Sequence, residues 1–145
     1  MRSLTVKLLL LAAGALILSG GVVAQNNAAM SGTGPSFKYL GPLALGPNGV
    51  VFAADSQEVS IYALELKNAL KGGAPGTKDI QKIDEKIAAL LGTDAAGIEI
   101  TNALVYPPTR NTLISVMRGQ GAAAAAALVK VDGDGKLTLL PLNSV

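Results

Sequence analysis

Short apolar runs, broken roughly every eight to twelve residues by Gly, Pro, Asn or Asp, dominate this chain and restrict it to small antiparallel sheets. In the first such stretch, Leu43-Ala44-Leu45 precedes Gly46-Pro47-Asn48-Gly49, and Val50-Val51-Phe52-Ala53-Ala54 follows. Asn-Gly supplies two residues tolerant of positive φ, the strongest short hairpin signal. Asp55-Ser56-Gln57-Glu58 then makes a polar turn, and Ser60 to Leu66 reads as a further strand. Tyr62 to Leu70 (YALELKNAL) is also rich in helix formers; strand is preferred up to Leu66 because the preceding hairpin needs a partner.

The second stretch is a four-strand meander. Ile98 to Tyr106 alternates as a strand, Pro107 to Asn111 turns, and Leu113 to Met117 is the next strand. Ala127 to Val131 and Leu137 to Leu142 flank the Gly-rich turn Asp132-Gly133-Asp134-Gly135-Lys136. The alanine run Ala122 to Ala127 is too short to hold a helix alone and reads as a loop entering the third strand. Both stretches place bulky groups on both faces of a strand, as at Val50-Val51-Phe52 and at Leu137, Leu139, Leu140 and Leu142. A sheet with one wet face would alternate more strictly.

Between them, the Lys71 to Gly76 loop leads to Ile80, Ile83, Ile87, Leu90 and Leu91 at helical spacing, with Lys82, Asp84, Glu85 and Lys86 opposite. This predicts an amphipathic helix near 78–91, with Thr77 as N-cap and Gly92 just past the C-terminus. Its apolar stripe is expected to pack on the protein's own sheet.

The first 24 residues read as a secretory leader: Arg2 and Lys7, the apolar run Leu8 to Leu18, and small residues up to a cleavage point between Ala24 and Gln25. The alternative is an uncleaved anchor, but a span needs about 20 apolar residues, and Ser19-Gly20-Gly21 interrupts this stretch. Residues 25–38 read as a flexible linker. Loss of Arg2 and Lys7 would leave ten basic and ten acidic groups from the original 12 and 10. A neutral chain with so few aromatics lacks the footprint of a nucleic-acid binder. The absence of both His and Cys excludes a Ser-His-Asp triad, a thiol nucleophile, a Cys/His zinc site and disulfides. A Cys-free exported chain points to a periplasmic or extracellular bacterial setting.

From Leu45-Gly46-Pro47-Asn48-Gly49 through Asp55, and again at Ile61-Tyr62-Ala63-Leu64, the chain resembles blades of secreted bacterial β-propellers of the NHL and YVTN-like type, and more distantly the gluconolactonase-like propellers. Val105-Tyr106-Pro107, Leu113 to Val116 and Val129 to Lys136 look like the same blade again. The resemblance implies a mainly β fold: two four-stranded antiparallel propeller-type blades, at 39–70 and 98–145, with the amphipathic helix inserted at 71–97 and a signal helix in front. Propellers typically close with four to eight blades, so this reading expects either further blades beyond the chain or self-association to cover the blade faces.

The implied function is an exported, non-catalytic binding or interaction scaffold with no cofactor, and membrane contact only through the leader. The alternative is part of a gluconolactonase-like metal-dependent hydrolase. Those propellers hold a divalent metal with Glu, Asn and Asp, and the Glu precedes a Gly-Pro. Leu40 precedes Gly41-Pro42 here and cannot ligate.

Three residues stand as candidate ligand contacts. Asn102 lies on a strand near the expected axis, although backbone capping explains it as well. Ser115 and Arg118 could hold an anion at a strand end, against the plainer reading of Arg118 as a solvated loop side chain. Asp132 and Asp134 resemble the opening of a calcium loop, but the remaining acidic ligands are missing, and a tight hairpin explains them. Asp55 is expected to accept backbone hydrogen bonds at its turn. No two carboxylates qualify as a catalytic pair.

Overall fold

The computed structural model describes residues 35–73 and 78–142. The expected signal helix, the Ala24–Gln25 junction, most of the linker and Thr77 lie outside them. The described chain is mainly β, with two antiparallel sheets and one α-helix. Strands β1 (Leu40–Leu45), β2 (Val50–Asp55) and β3 (Ser60–Glu65) form the first sheet in the order β1-β2-β3. Strands β4 (Ile98–Tyr106), β5 (Asn111–Arg118), β6 (Ala125–Val131) and β7 (Leu137–Leu140) form the second, also in chain order.

The turn chemistry explains the first sheet. Asn48 and Gly49 both take positive φ, 57° and 83°, and the Gly46 N–H donates to the Val50 carbonyl at 2.9 Å. Gly49 is required twice over, because a Cβ there would sit 2.8 Å from Lys67 Cβ in a conformation that L side chains resist.

Among the described residues the first sheet has three strands, without the fourth expected of the first blade. After Glu65 the chain turns, with the Leu70 N–H donating to the Leu66 carbonyl at 2.8 Å. Leu66 and Leu70 are both buried. The helix formers of this segment thus close a single turn that drives two leucines into the core, and burying each contributes about 1.5–3 kcal/mol.

The sheets stack. Leu40, Leu43, Val51, Ala53 and Leu64 of the first share one buried cluster with Leu113, Met117, Leu128 and Leu140 of the second, and Phe37, Leu66 and Leu70 complete it. The other face of the second sheet carries Ile114, Val116, Ala127, Val129 and Val131, packed against Ile87 and Leu91. Three layers result: first sheet, second sheet, helix. The helix therefore packs on the protein's own second sheet.

That helix, α1, runs Ile83–Leu90, shorter than the 78–91 expected. Its start is delayed because Lys82 takes a left-handed conformation (φ 55°), while Ile80 lies in the non-helical stretch before it. Ile80 packs against the helix-side cluster and close to Gly135 of the β6–β7 turn, so burial of Ile80 overrides its place in the helical period. The C-terminus matches expectation. Gly92 (φ 71°) follows the cap residue Leu91, the Thr93 N–H donates to the Ala88 carbonyl at 2.9 Å and the Gly92 N–H to that of Ala89 at 3.2 Å. This is a Schellman closure.

Candidate functional site

In β4 the extra residue Thr101 makes a bulge, since Ile100 pairs with Val116 and Asn102 with Ser115. A bulge re-aims side chains, and here it turns Thr101 and Asn102 toward β1. The Thr101 hydroxyl lies 2.6 Å from the Leu40 carbonyl and 2.8 Å from Ser115 Oγ. Ser115 Oγ donates to the Gly41 carbonyl at 3.1 Å, and Asn102 Oδ1 accepts from the Leu43 N–H at 3.3 Å. The structure thus brings Asn102 and Ser115 together, with Thr101, which the sequence reading did not single out. All three spend their polar atoms on the backbone of β1, where the irregular Gly41-Pro42 step leaves β1 out of register with β2. Ser115 is fully buried; this cluster joins the two sheets.

Arg118 is not part of it. On β5, Leu113 and Met117 join the inter-sheet cluster while Ile114 and Val116 join the helix-side one. Alternation puts Ser115 with the former and Arg118 with the latter. Arg118 lines an open cleft of about 310 Å³ with Thr93, Gly97, Gly119, Ala123 and Ala125. One wall of it is tied by the Gly119 N–H to the Gly97 carbonyl at 2.9 Å, and by Asp94, whose Oδ1 accepts from the Gly97 N–H at the same distance.

Asp55 is the most heavily engaged acidic group. It is buried, with Oδ2 accepting from the N–H groups of Lys38 (2.6 Å) and Tyr39 (3.2 Å) and Oδ1 from those of Gln57 and Glu58 (both 2.9 Å). Burial pushes its carboxyl pKa up, but the four N–H bonds outweigh that and leave it below the ordinary aspartate value. Beside it, Lys38 forms an ion pair with Glu58, whose hydrogen bond and charge raise the lysine pKa. The Tyr39 hydroxyl donates to Glu99 at 3.0 Å across the two sheets, and that bond raises its pKa.

Asp132 makes the hairpin that the sequence suggested. Its Oδ1 accepts from the N–H groups of Asp134 and Lys136, both at 3.0 Å. Among the described residues no three acidic side chains converge as a metal site would need. Leu40, where the lactonase-like propellers place a metal-binding Glu, is fully buried. Asn111, read from sequence only as a turn residue, is fully buried, and its Nδ2 donates to the carbonyls of Leu70 (2.8 Å) and Gly72 (3.0 Å). Thr109 and Lys130 donate to the carbonyls of Leu70 and Ala69. Nothing local in the sequence announces this clamp, because its acceptors lie some 40 to 60 residues earlier.

The described surface also presents an apolar sheet face. Opposite positions of the first sheet share a side, and the register places Ala44, Val50, Phe52, Ala54, Ile61, Ala63 and Glu65 on the side away from the second sheet. Phe52 is 37% and Ile61 74% exposed. No protein-family model, curated protein sequence or solved structure matches this chain.

Proposed function

We propose that this protein is an exported, non-catalytic interaction scaffold whose propeller-like sheet units present an apolar face to a binding partner. The observation that carries the reading is the outer face of the first sheet, where Val50, Phe52, Ala54, Ile61 and Ala63 are interrupted by a single charge, Glu65. Apolar surface of this kind on a sheet is the signature of a layer designed to be covered. The second sheet of the same chain is covered in that manner on both sides. Asn102 and Ser115, two of the three candidate ligand residues, are engaged in joining the sheets, which favours the scaffold over the lactonase-like alternative.

Surface footprinting tests this directly. Phe52 and Ile61 are expected to be shielded from a diffusing labelling reagent in the cells that make the protein and labelled in the dilute purified chain. Equal labelling in both settings removes the scaffold reading. Export is tested separately by mass spectrometry of the N-terminus: a chain beginning at Gln25 supports it, and a retained Met1 excludes cleavage at Ala24.

A further inference from the structure

Four strand edges end the two sheets, and three of them are blunted. Along β1, the carbonyls of Leu40 and Gly41 and the N–H of Leu43 are taken by Thr101, Ser115 and Asn102. Strand β4 is interrupted by its bulge and carries Glu99, and β7 is four residues long and is followed by Pro141. Proline, charge, bulges and short length are the devices that keep edges from pairing. Strand β3 has none of them before its last residue: Ser60-Ile61-Tyr62-Ala63-Leu64-Glu65 pairs with β2 without a register break and has no strand on its other side among the described residues.

The phase of that edge is fixed. The Leu66 N–H donates to the Gly49 carbonyl at 3.2 Å, so alternation along the antiparallel ladder directs the backbone groups of Leu64, Tyr62 and Ser60 toward β2. Those of Ile61, Ala63 and Glu65 point to the open side. These three are evenly spaced about Ala63, which makes the edge complementary to itself.

We propose that β3 pairs antiparallel with β3 of a second copy of this chain, Ala63 facing its counterpart and Ile61 facing Glu65. This register uses every outward backbone group and preserves face parity, so both outer faces join on one side and Tyr62 meets Leu64 on the other. It also sets the small Ala63 side chain at the two-fold axis and keeps Glu65 away from its own copy, where like charges would repel. The proposal rests on the scaffold reading above: edge pairing joins two outer faces into one continuous apolar face, which stays open to the binding partner.

The absence of cysteine from the chain gives a register-specific test in the full chain, oxidised in the cells that make it. Facing residues of a hydrogen-bonded antiparallel pair have Cα atoms about 5.5 Å apart, inside the roughly 4.4–6.8 Å that a disulfide spans. Ala63→Cys alone is expected to convert to a covalent dimer. Ile61→Cys alone stays single, because its copy lies about 13 Å along the strand, whereas Ile61→Cys mixed with Glu65→Cys cross-links. In sedimentation, the unaltered chain is expected to shift to twice its mass with rising concentration, and Ala63→Lys, which sets two charges on the axis, to lose that shift. Ala63→Cys cross-linking no better than Ile61→Cys overturns the proposal, as does a single-chain mass up to about 1 mM. Shielding of Phe52 and Ile61 in cells without the Ala63→Cys cross-link overturns self-pairing and leaves the scaffold reading standing, whereas the cross-link without shielding overturns the scaffold reading and leaves self-pairing.

Discussion

The two sheets are written in the same alphabet of short apolar strands and Gly-rich turns, yet they end in different environments. The second lies between the first sheet and α1, so both of its faces are buried over β5 and β6. The first has one buried face and one that remains outside, with Ile61 74% exposed and the hairpin residue Val59 92% exposed. Apolar residues on both faces of a strand therefore state a demand for cover without saying whether the same chain meets it. The intervening helix meets it for the second sheet. For the first, none of the described residues meets it.

The largest expected contrast lies between the layers themselves. Leu113 is fully buried where the sheets meet, and Leu113→Ala is expected to cost about 2–5 kcal/mol in denaturant unfolding of the monomer. Ile61→Ala, on the outer face, is expected to stay within about 0.5 kcal/mol. Comparable losses for the two would mean that the first sheet is covered on both sides in the isolated chain, and the contrast would fail.

Next come the two aspartates that close hairpins. Asp55, in the first sheet, holds four backbone N–H groups and is buried; Asp132, in the second, holds two. Asp55→Ala strands buried donors and is expected to cost about 3 kcal/mol, against about 1 kcal/mol for Asp132→Ala. Because the folded-state pKa of Asp55 lies below its unfolded value, its contribution is fully present above about pH 4. It is lost as the pH falls through the lower folded value. Asp55→Asn should flatten that acid limb of the stability profile; an unchanged limb would show that other carboxylates carry it.

How much of this was legible beforehand depended on whether the deciding contact was local. The hairpin at Asn48-Gly49, the Gly92 closure, the Asp55 turn and the span of β4 all follow from residues within a few positions of one another. The start of α1 did not, because Ile80 is claimed by a hairpin more than fifty residues away. Nor did the third-to-fourth strand question at Leu66 and Leu70, where propensity favoured a helical turn and burial settled where it points. Ser115 and Asn102 were recognisable as unusual polar residues in apolar strands, but their partners on β1 lie 59 to 74 residues earlier. Spacing along β5 could have separated Ser115 from Arg118, since their odd offset places them on opposite faces.

That inter-sheet polar cluster supplies a smaller test of the same contrast. Ser115→Ala removes the donor to Gly41 and the partner of Thr101 and is expected to cost about 1–3 kcal/mol. If the first sheet is held mainly by these bonds, hydrogen exchange should accelerate in β1 and β2 while β5 and β6 remain protected. Uniform acceleration would show instead that the two sheets open as one unit.

The smallest effect has the opposite sign and falls on the uncovered sheet. Val59 sits in the left-handed region at φ 52°, a conformation that costs an L residue roughly 1–2 kcal/mol and suits a β-branched side chain least. Its side chain is almost wholly in solvent, so replacement forfeits little packing. Val59→Gly removes the clash but adds the backbone entropy of glycine, about 0.5–1 kcal/mol, and the net expectation is a gain of about 0.5 kcal/mol in monomer stability. The matching hairpin of the covered sheet has the same four-residue loop, with Arg110 in the left-handed position at φ 59°. A loss on Val59→Gly would mean that the valine makes contacts in the isolated chain, and the outer edge of the first sheet would then be less open than its exposure implies.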